Sequence, residues 1–208
     1  MKFLELKNQL AAFPIFTTLD IRKLSPGFYP ARLAEWIKKG YIVRIAKGLY
    51  VFSDAHRDEF LLSSIANRLV VPSAISLEAA LAHYGFIPEG VYSLTSVTPR
   101  RTAMIKTPFG TFIYRKVMPA LMFGLRAEGE GALRHRIAEP EKAVLDYFYL
   151  NPQLKTAEDF EGLRFNAEVF LRLVDSEKLE RYLALFKNKA LARRVHDFLM
   201  HLRSVLRP

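Results

Sequence analysis

A chain of 208 residues, half of them apolar, can bury a core as one large domain or two small ones, which excludes disorder for most of its length. The absence of cysteine excludes disulfides, thiolate zinc sites and cysteine nucleophiles. The 31 Lys and Arg outnumber the 21 Asp and Glu, and the net charge of +10 suits a polyanionic partner.

In residues 1–13, Glu5, Lys7, Asn8 and Gln9 interrupt any signal-like apolar run, and no segment approaches the roughly 18 apolar residues of a membrane span. A soluble, cytoplasmic protein without a membrane partner is expected. The basic excess is largest at the start: residues 1–55 carry 9 basic and 4 acidic side chains, against 11 and 9 in residues 56–150 and 11 and 8 in residues 151–208.

Phe3, Leu6, Leu10 and Phe13 share one helical face before Pro14, which predicts a first helix over residues 2–12. Thr17 and Asp20 have capping-box spacing ahead of a second helix, residues 18–24, stopped by Ser25, Pro26 and Gly27. A third helix, residues 30–39, opens on Pro30, presents Leu33, Trp36 and Ile37 as its apolar face and ends at Gly40. Two β-branched and aromatic runs, residues 41–45 and 49–52, flank Ala46, Lys47 and Gly48 as a hairpin. This order predicts a winged helix-turn-helix; a generic helical subdomain or the edge of a larger α+β core are the alternatives.

Beyond a boundary near Asp54 the pattern becomes mixed. Helices are expected over residues 58–68 and 76–84, strands over 91–98, 109–117 and 133–138 in one small, mainly antiparallel sheet, and a helix over 140–150 opened by Pro140. The last third reads as helices over 167–174, 176–186 and 189–206. In the final one Leu191, Val195, Phe198, Leu199, Leu202, Val205 and Leu206 form an apolar stripe expected to be buried. Lys187, Lys189, Arg193, Arg194, Arg203 and Arg207 surround it, as a second basic surface or a solvated helix face. The class is therefore α+β, with a winged domain at 1–55 and an α/β domain with a helical C-terminal part at 56–208.

Catalytic signatures are missing: there is no phosphate loop, nucleophile elbow or His-Glu-x-x-His helix, so no enzyme activity and no cofactor are expected. His56 with Glu59, and His196 with His201, are spaced like ligand pairs but lack a third ligand, so no metal is expected. Gly129 and Gly131 read as a turn, not a dinucleotide loop.

A helix fits the major groove, and its N-terminal side chains reach base edges. In the third helix Arg32, Lys38 and Lys39 point outward, with Arg32 placed to read guanine or to touch a phosphate. Tyr29 contacts DNA or packs on Trp36, itself a core residue. Lys47 and Arg44 sit where a wing meets backbone or minor groove, and Arg22 and Lys23 are candidate phosphate contacts.

The run Trp36, Ile37, Lys38, Lys39, Gly40, Tyr41, Ile42, Val43, Arg44, Ile45, Ala46, Lys47, Gly48, Leu49, Tyr50, Val51 resembles the wing of the AbiE-type antitoxins of type IV toxin-antitoxin (abortive phage infection) systems. Ile75 to Leu81 with His83, Tyr84 and Gly85, and Ile137 to Asp146, resemble that family's two further motifs in the same order. The likeness spans about residues 30–150. It departs at Lys47, where the family often has two basic residues, and at Glu139, where Asp is usual.

The resemblance implies a transcriptional repressor of its own operon, bound to double-stranded DNA at inverted repeats. It also implies a C-terminal domain that counteracts a nucleotidyltransferase-like toxin without a stable complex. Arg193 and Arg194 are candidate contributors to that activity. Glu141, Lys142 and Asp146 invite a catalytic reading, but Lys142 and Asp146 at i, i+4 equally form an intrahelical ion pair. A nucleic-acid-modifying or nucleotide-handling enzyme recruited by the wing, and an RNA-binding regulator, are the alternative functions.

Overall fold

The structure, a computed structural model, describes residues 1–88 and 93–206. Its first unit runs α1 (Phe3–Gln9), β1 (Ile15–Thr17), α2 (Thr18–Leu24), α3 (Ala31–Lys38), β2 (Ile42–Ala46) and β3 (Leu49–Phe52). The Thr17 hydroxyl accepts from the Asp20 amide at 3.2 Å while the Asp20 carboxylate accepts from the Thr17 amide at 2.8 Å, a reciprocal cap that fixes the start of α2. Gly40, at φ +69°, turns the chain out of α3, and Gly48, at φ +78°, closes the hairpin. The first helix is shorter than expected: it ends at Gln9, residues 10–12 form a turn, and past Pro14 a three-residue strand, β1, pairs antiparallel with β3.

These strands form a sheet of order β1-β3-β2 whose two faces are both buried. Alternation along β3 sends Tyr50 and Phe52 to one side and Leu49 and Val51 to the other. The first side closes a small core with Leu6, Phe16, Ile21, Phe28, Leu33, Trp36 and Ile42. Its rings meet at 4.7 Å (Phe16 with Phe52) and 5.6 Å (Phe28 with Trp36). On the second side Ile15, Ile45, Leu49 and Val51 join the core of the remainder of the chain. Fully burying such side chains stabilises by about 1.5–3 kcal/mol each, so residues 1–55 and the remainder share one apolar wall.

The second unit contains α4 (Glu59–Leu69), β4 (Ala74–Ile75), α5 (Leu77–His83), β5 (Ser93–Thr98), β6 (Ala103–Thr107), β7 (Gly110–Lys116), β8 (Leu125–Glu128), β9 (His135–Ala138) and α6 (Pro140–Leu150). There follow α7 (Ala157–Gly162), α8 (Ala167–Leu173), α9 (Ser176–Leu185) and α10 (Lys189–Val205). The sheet expected to be small and mainly antiparallel has six strands, ordered β6-β7-β5-β4-β9-β8. It is mixed, because β5 runs parallel to β7 and β4 parallel to β9. The start of the strand expected at Val91 lies outside the described residues.

Helix α6 is the hub: residues 141–146 and Phe148 are all buried, and α5, α9 and α10 pack on it. Along α10, Leu191, Val195, Phe198 and Leu202 are buried as expected, but Val205 is 62% and Leu206 38% exposed. The stripe is thus covered only as far as Leu202. Arg207 lies outside the described residues.

Candidate nucleic-acid interface

The apolar contacts of the small core leave the basic residues of α2, α3 and the hairpin outside. Trp36 is 4% exposed, held between Phe3 at 5.7 Å and Phe28 at 5.6 Å. Tyr29 does not pack on it; it projects with 71% of its surface exposed, just before α3. Arg32 is exposed in the first turn of α3, with one guanidinium nitrogen donating to the Met1 carbonyl at 2.6 Å. The chain start thereby steadies Arg32 and leaves its other donors free.

Lys39 is tied to Glu35 at 2.6 Å, a contact that raises the lysine's affinity for its proton and lowers that of the glutamate. Lys38, Arg22, Lys23 and Lys47 are exposed, and none has a carboxylate partner among the described residues. Arg44 pairs in register with Tyr50, which places it on the face of the sheet that carries the three helices. Its Nε donates weakly to the Ala46 carbonyl at 3.4 Å. The Thr18 amide donates to the Gly48 carbonyl at 3.3 Å, so the hairpin tip abuts the start of α2.

The C-terminal candidates separate. Arg193 is exposed, with Asp197 3.9 Å away. Arg194 is 9% exposed, and its guanidinium donates to the carbonyls of Phe148 at 2.8 Å and Asn151 at 3.1 Å. It therefore caps the C-terminus of α6 and is no part of an outer surface, a correction to its expected place: beside the buried stripe, the long side chain reaches inward to carbonyls that α6 leaves unpaired.

Lys142 and Asp146 form the expected i, i+4 pair, both 0% exposed. Ser76, also fully buried, donates to Asp146 at 2.8 Å, and the Lys142 ammonium lies over the Phe123 and Phe186 rings at 5.2 and 5.3 Å. Burial pushes the Asp146 carboxyl up and the Lys142 ammonium down, each opposed by the other's charge. Withdrawn from water, the trio joins α6 to the start of α5. Glu141 is engaged elsewhere: its Oε1 accepts from the Asp175 amide at 3.0 Å, and Lys178 bridges its Oε2 at 3.1 Å and Glu139 at 3.2 Å.

The histidines spaced like metal ligands go to separate partners: His56 to Asp58, His196 to Glu180, and His201 to the Phe160 ring, while Glu59 binds His83. Among the described residues no group of three or more His, Asp or Glu could hold a metal ion, and no helix is long and apolar enough to cross a membrane.

No family model and no curated protein matches the chain. It is similar to the solved structure of the RV2827C protein from Mycobacterium tuberculosis, with a TM-score of 0.63 and 14% identity over 95% of this chain and 75% of that one. At that identity the likeness shows a shared fold alone.

Proposed function

We propose that residues 1–55 are a winged helix-turn-helix that binds duplex DNA, and that the chain is the antitoxin and autorepressor of a type IV, AbiE-like toxin-antitoxin system. One observation carries the DNA reading: the order α1-β1-α2-α3-β2-β3 with sheet order β1-β3-β2 buries Leu33 and Trp36 of α3 and leaves its opposite face and the hairpin tip exposed, edged by cations without carboxylate partners among the described residues. Helix α3, like any α-helix about 10–12 Å across with its side chains, fits a major groove about 12 Å wide.

Arg32, in its first turn, reads a base edge; Lys38 in its last turn, Lys47 and Arg44 on the wing, and Arg22 and Lys23 on α2 hold phosphates. Binding at the promoter blocks transcription of the operon. The antitoxin activity of residues 56–208 against a nucleotidyltransferase-like toxin rests on the resemblance of the wing and of the two later motifs.

Fluorescence anisotropy of the full chain on its own promoter tests the first part. Affinity is expected to fall steeply with salt as counterions are released, and Arg32→Ala to lose about 1–3 kcal/mol of discrimination against random duplex. Undetectable or salt-independent binding refutes the reading. For the second part, the full-length Arg32→Ala/Lys47→Ala variant should lose repression yet still protect cells making the toxin from an unrelated promoter. Failure of the parent chain to protect there reduces antitoxicity to repression.

A further inference from the structure

A cleft of about 540 Å³ opens on the second unit between the end of α4 and strands β8 and β9, lined in part by Asn67, Arg68, Ser73, Arg134, His135 and Arg136. Three arginines converge on it, and no acidic side chain lines it. Arg134 and Arg136 are exposed, and among the described residues neither is paired with a carboxylate.

Arg68 differs in being half withdrawn from water. It donates to the Ile15 carbonyl at 3.1 Å and the Ala132 carbonyl at 2.8 Å. Burial makes its protonated form harder to keep, opposed by the Asp20 charge; the guanidinium stays charged, and among the described residues no carboxylate approaches it to ion-pair distance. Desolvating the cation costs free energy that two neutral carbonyls and the more distant Asp20 carboxylate offset only in part. The walls are firm: Asn67 accepts from the Arg136 amide at 2.7 Å, and the His135 ring is anchored on the Leu133 carbonyl at 3.0 Å.

We infer that this cleft is a phosphate-binding site, with Arg134 and Arg136 as the direct ligands and Arg68 as the fixed positive charge behind them. Guanidinium groups match the geometry of phosphate oxygens with paired donors, and a site without acids does not repel the dianion. Two sources of that phosphate are compatible with the position. Arg68 also lines a neighbouring groove with Lys23 and Asp20 of α2, so the cleft borders the surface assigned to DNA and could take a backbone phosphate of the same duplex. Its size also admits a free phosphorylated small molecule. The first source rests on the DNA-binding reading; the second does not.

Two measurements on the full-length protein and on the Arg134→Glu/Arg136→Glu variant decide. Both substitutions are on exposed side chains, and matching circular dichroism melts check that the fold is intact. The first measurement follows ³¹P line broadening of inorganic phosphate at constant ionic strength, with acetate as competitor. The second is anisotropy on promoter duplex across a salt series. Broadening that resists acetate and vanishes in the variant, with duplex affinity unchanged, identifies a free phosphorylated ligand.

A tenfold or greater loss of duplex affinity in the variant, with the slope of log K against log salt smaller by about two, identifies backbone phosphates. The inference is overturned if the variant matches the parent in both measurements, or if acetate displaces phosphate at equal concentration. A chain that binds no duplex but shows the phosphate effect refutes the DNA reading while leaving the cleft's role standing.

Discussion

Around α2, α3 and the hairpin, Arg22, Lys23, Lys38 and Lys47 stand in water without acidic partners among the described residues, whereas at the junction of α6 with α9 and α10 Lys142, Lys178 and Arg194 are turned inward. There Lys142 is 0% exposed against Asp146, Arg194 holds the carbonyls at the end of α6, and Lys178 bridges two glutamates. The contrast shows that a net charge of +10 does not by itself locate a binding surface. The engagement of each cation does, because an unpaired exposed charge keeps its field and its donors available to a partner, while a paired one is neutralised and a buried guanidinium has its donors already taken.

The largest effect that tests this contrast is on stability. Asp146→Ala leaves the Lys142 ammonium buried without a counter-charge and should cost about 3–5 kcal/mol, read as a fall in melting temperature of roughly 10 °C. Replacing both partners, as Lys142→Met with Asp146→Leu, should recover most of that loss; failure to recover would mean that the pair, and not merely its balance, holds α6 in place. Arg194→Ala comes next, at about 1–3 kcal/mol for the carbonyls left without donors, with duplex affinity unchanged. A weakened DNA interaction in a stably folded Arg194→Ala protein would move this residue to the other side of the comparison.

Lys47→Ala reverses the pattern: the melting temperature should hold within about 1 °C, and affinity should drop equally on all duplexes, with the salt slope flatter by about one unit. The smallest effect is on acid stability. Backbone amides hold three helix-capping carboxyls below the usual range: Leu61 for Asp58, Lys155 for Asp159, Lys178 for Asp175. Their contribution is complete above the ordinary carboxylate range and is lost as pH falls through the lowered values, so melting curves should shift downward between about pH 5 and pH 2. Asp58→Asn, which still accepts a hydrogen bond but does not titrate, should shallow that decline slightly.

Much of this was legible in the sequence. Helix α2, the hairpin, α6 and α10 announce themselves through caps, Pro140 and a 3.6-residue stripe, because their signals are local. The strands β1, β4 and β8 do not: two to four residues long, they owe their conformation to partners far along the chain. The parallel pairs β5–β7 and β4–β9 leave no local trace at all. Helix α7 was within reach, since Thr156 and Asp159 carry the same reciprocal cap as Thr17 and Asp20. Of the interface, Arg32, Lys38 and Lys47 could be placed from helix and turn position. Arg194 could not, because only the fold brings the end of α6 beside it. Arg134 and Arg136, two residues apart around the start of β9, share a side by strand alternation, but the cleft they line depends on α4.

The three-stranded sheet with apolar residues on both faces bears on what the chain does when it is cut. A protease reaching the exposed stretch of Ser53, Asp54, His56 and Arg57 would sever the backbone between two bodies that Ile15, Ile45, Leu49 and Val51 still hold together. The nicked molecule should elute from gel filtration as one particle and fall apart only in denaturant. By the same reasoning, residues 1–55 transplanted onto another protein would carry a greasy underside with nothing beneath it. A workable graft has to bring along α4, whose Arg68 donates to the Ile15 carbonyl at 3.1 Å.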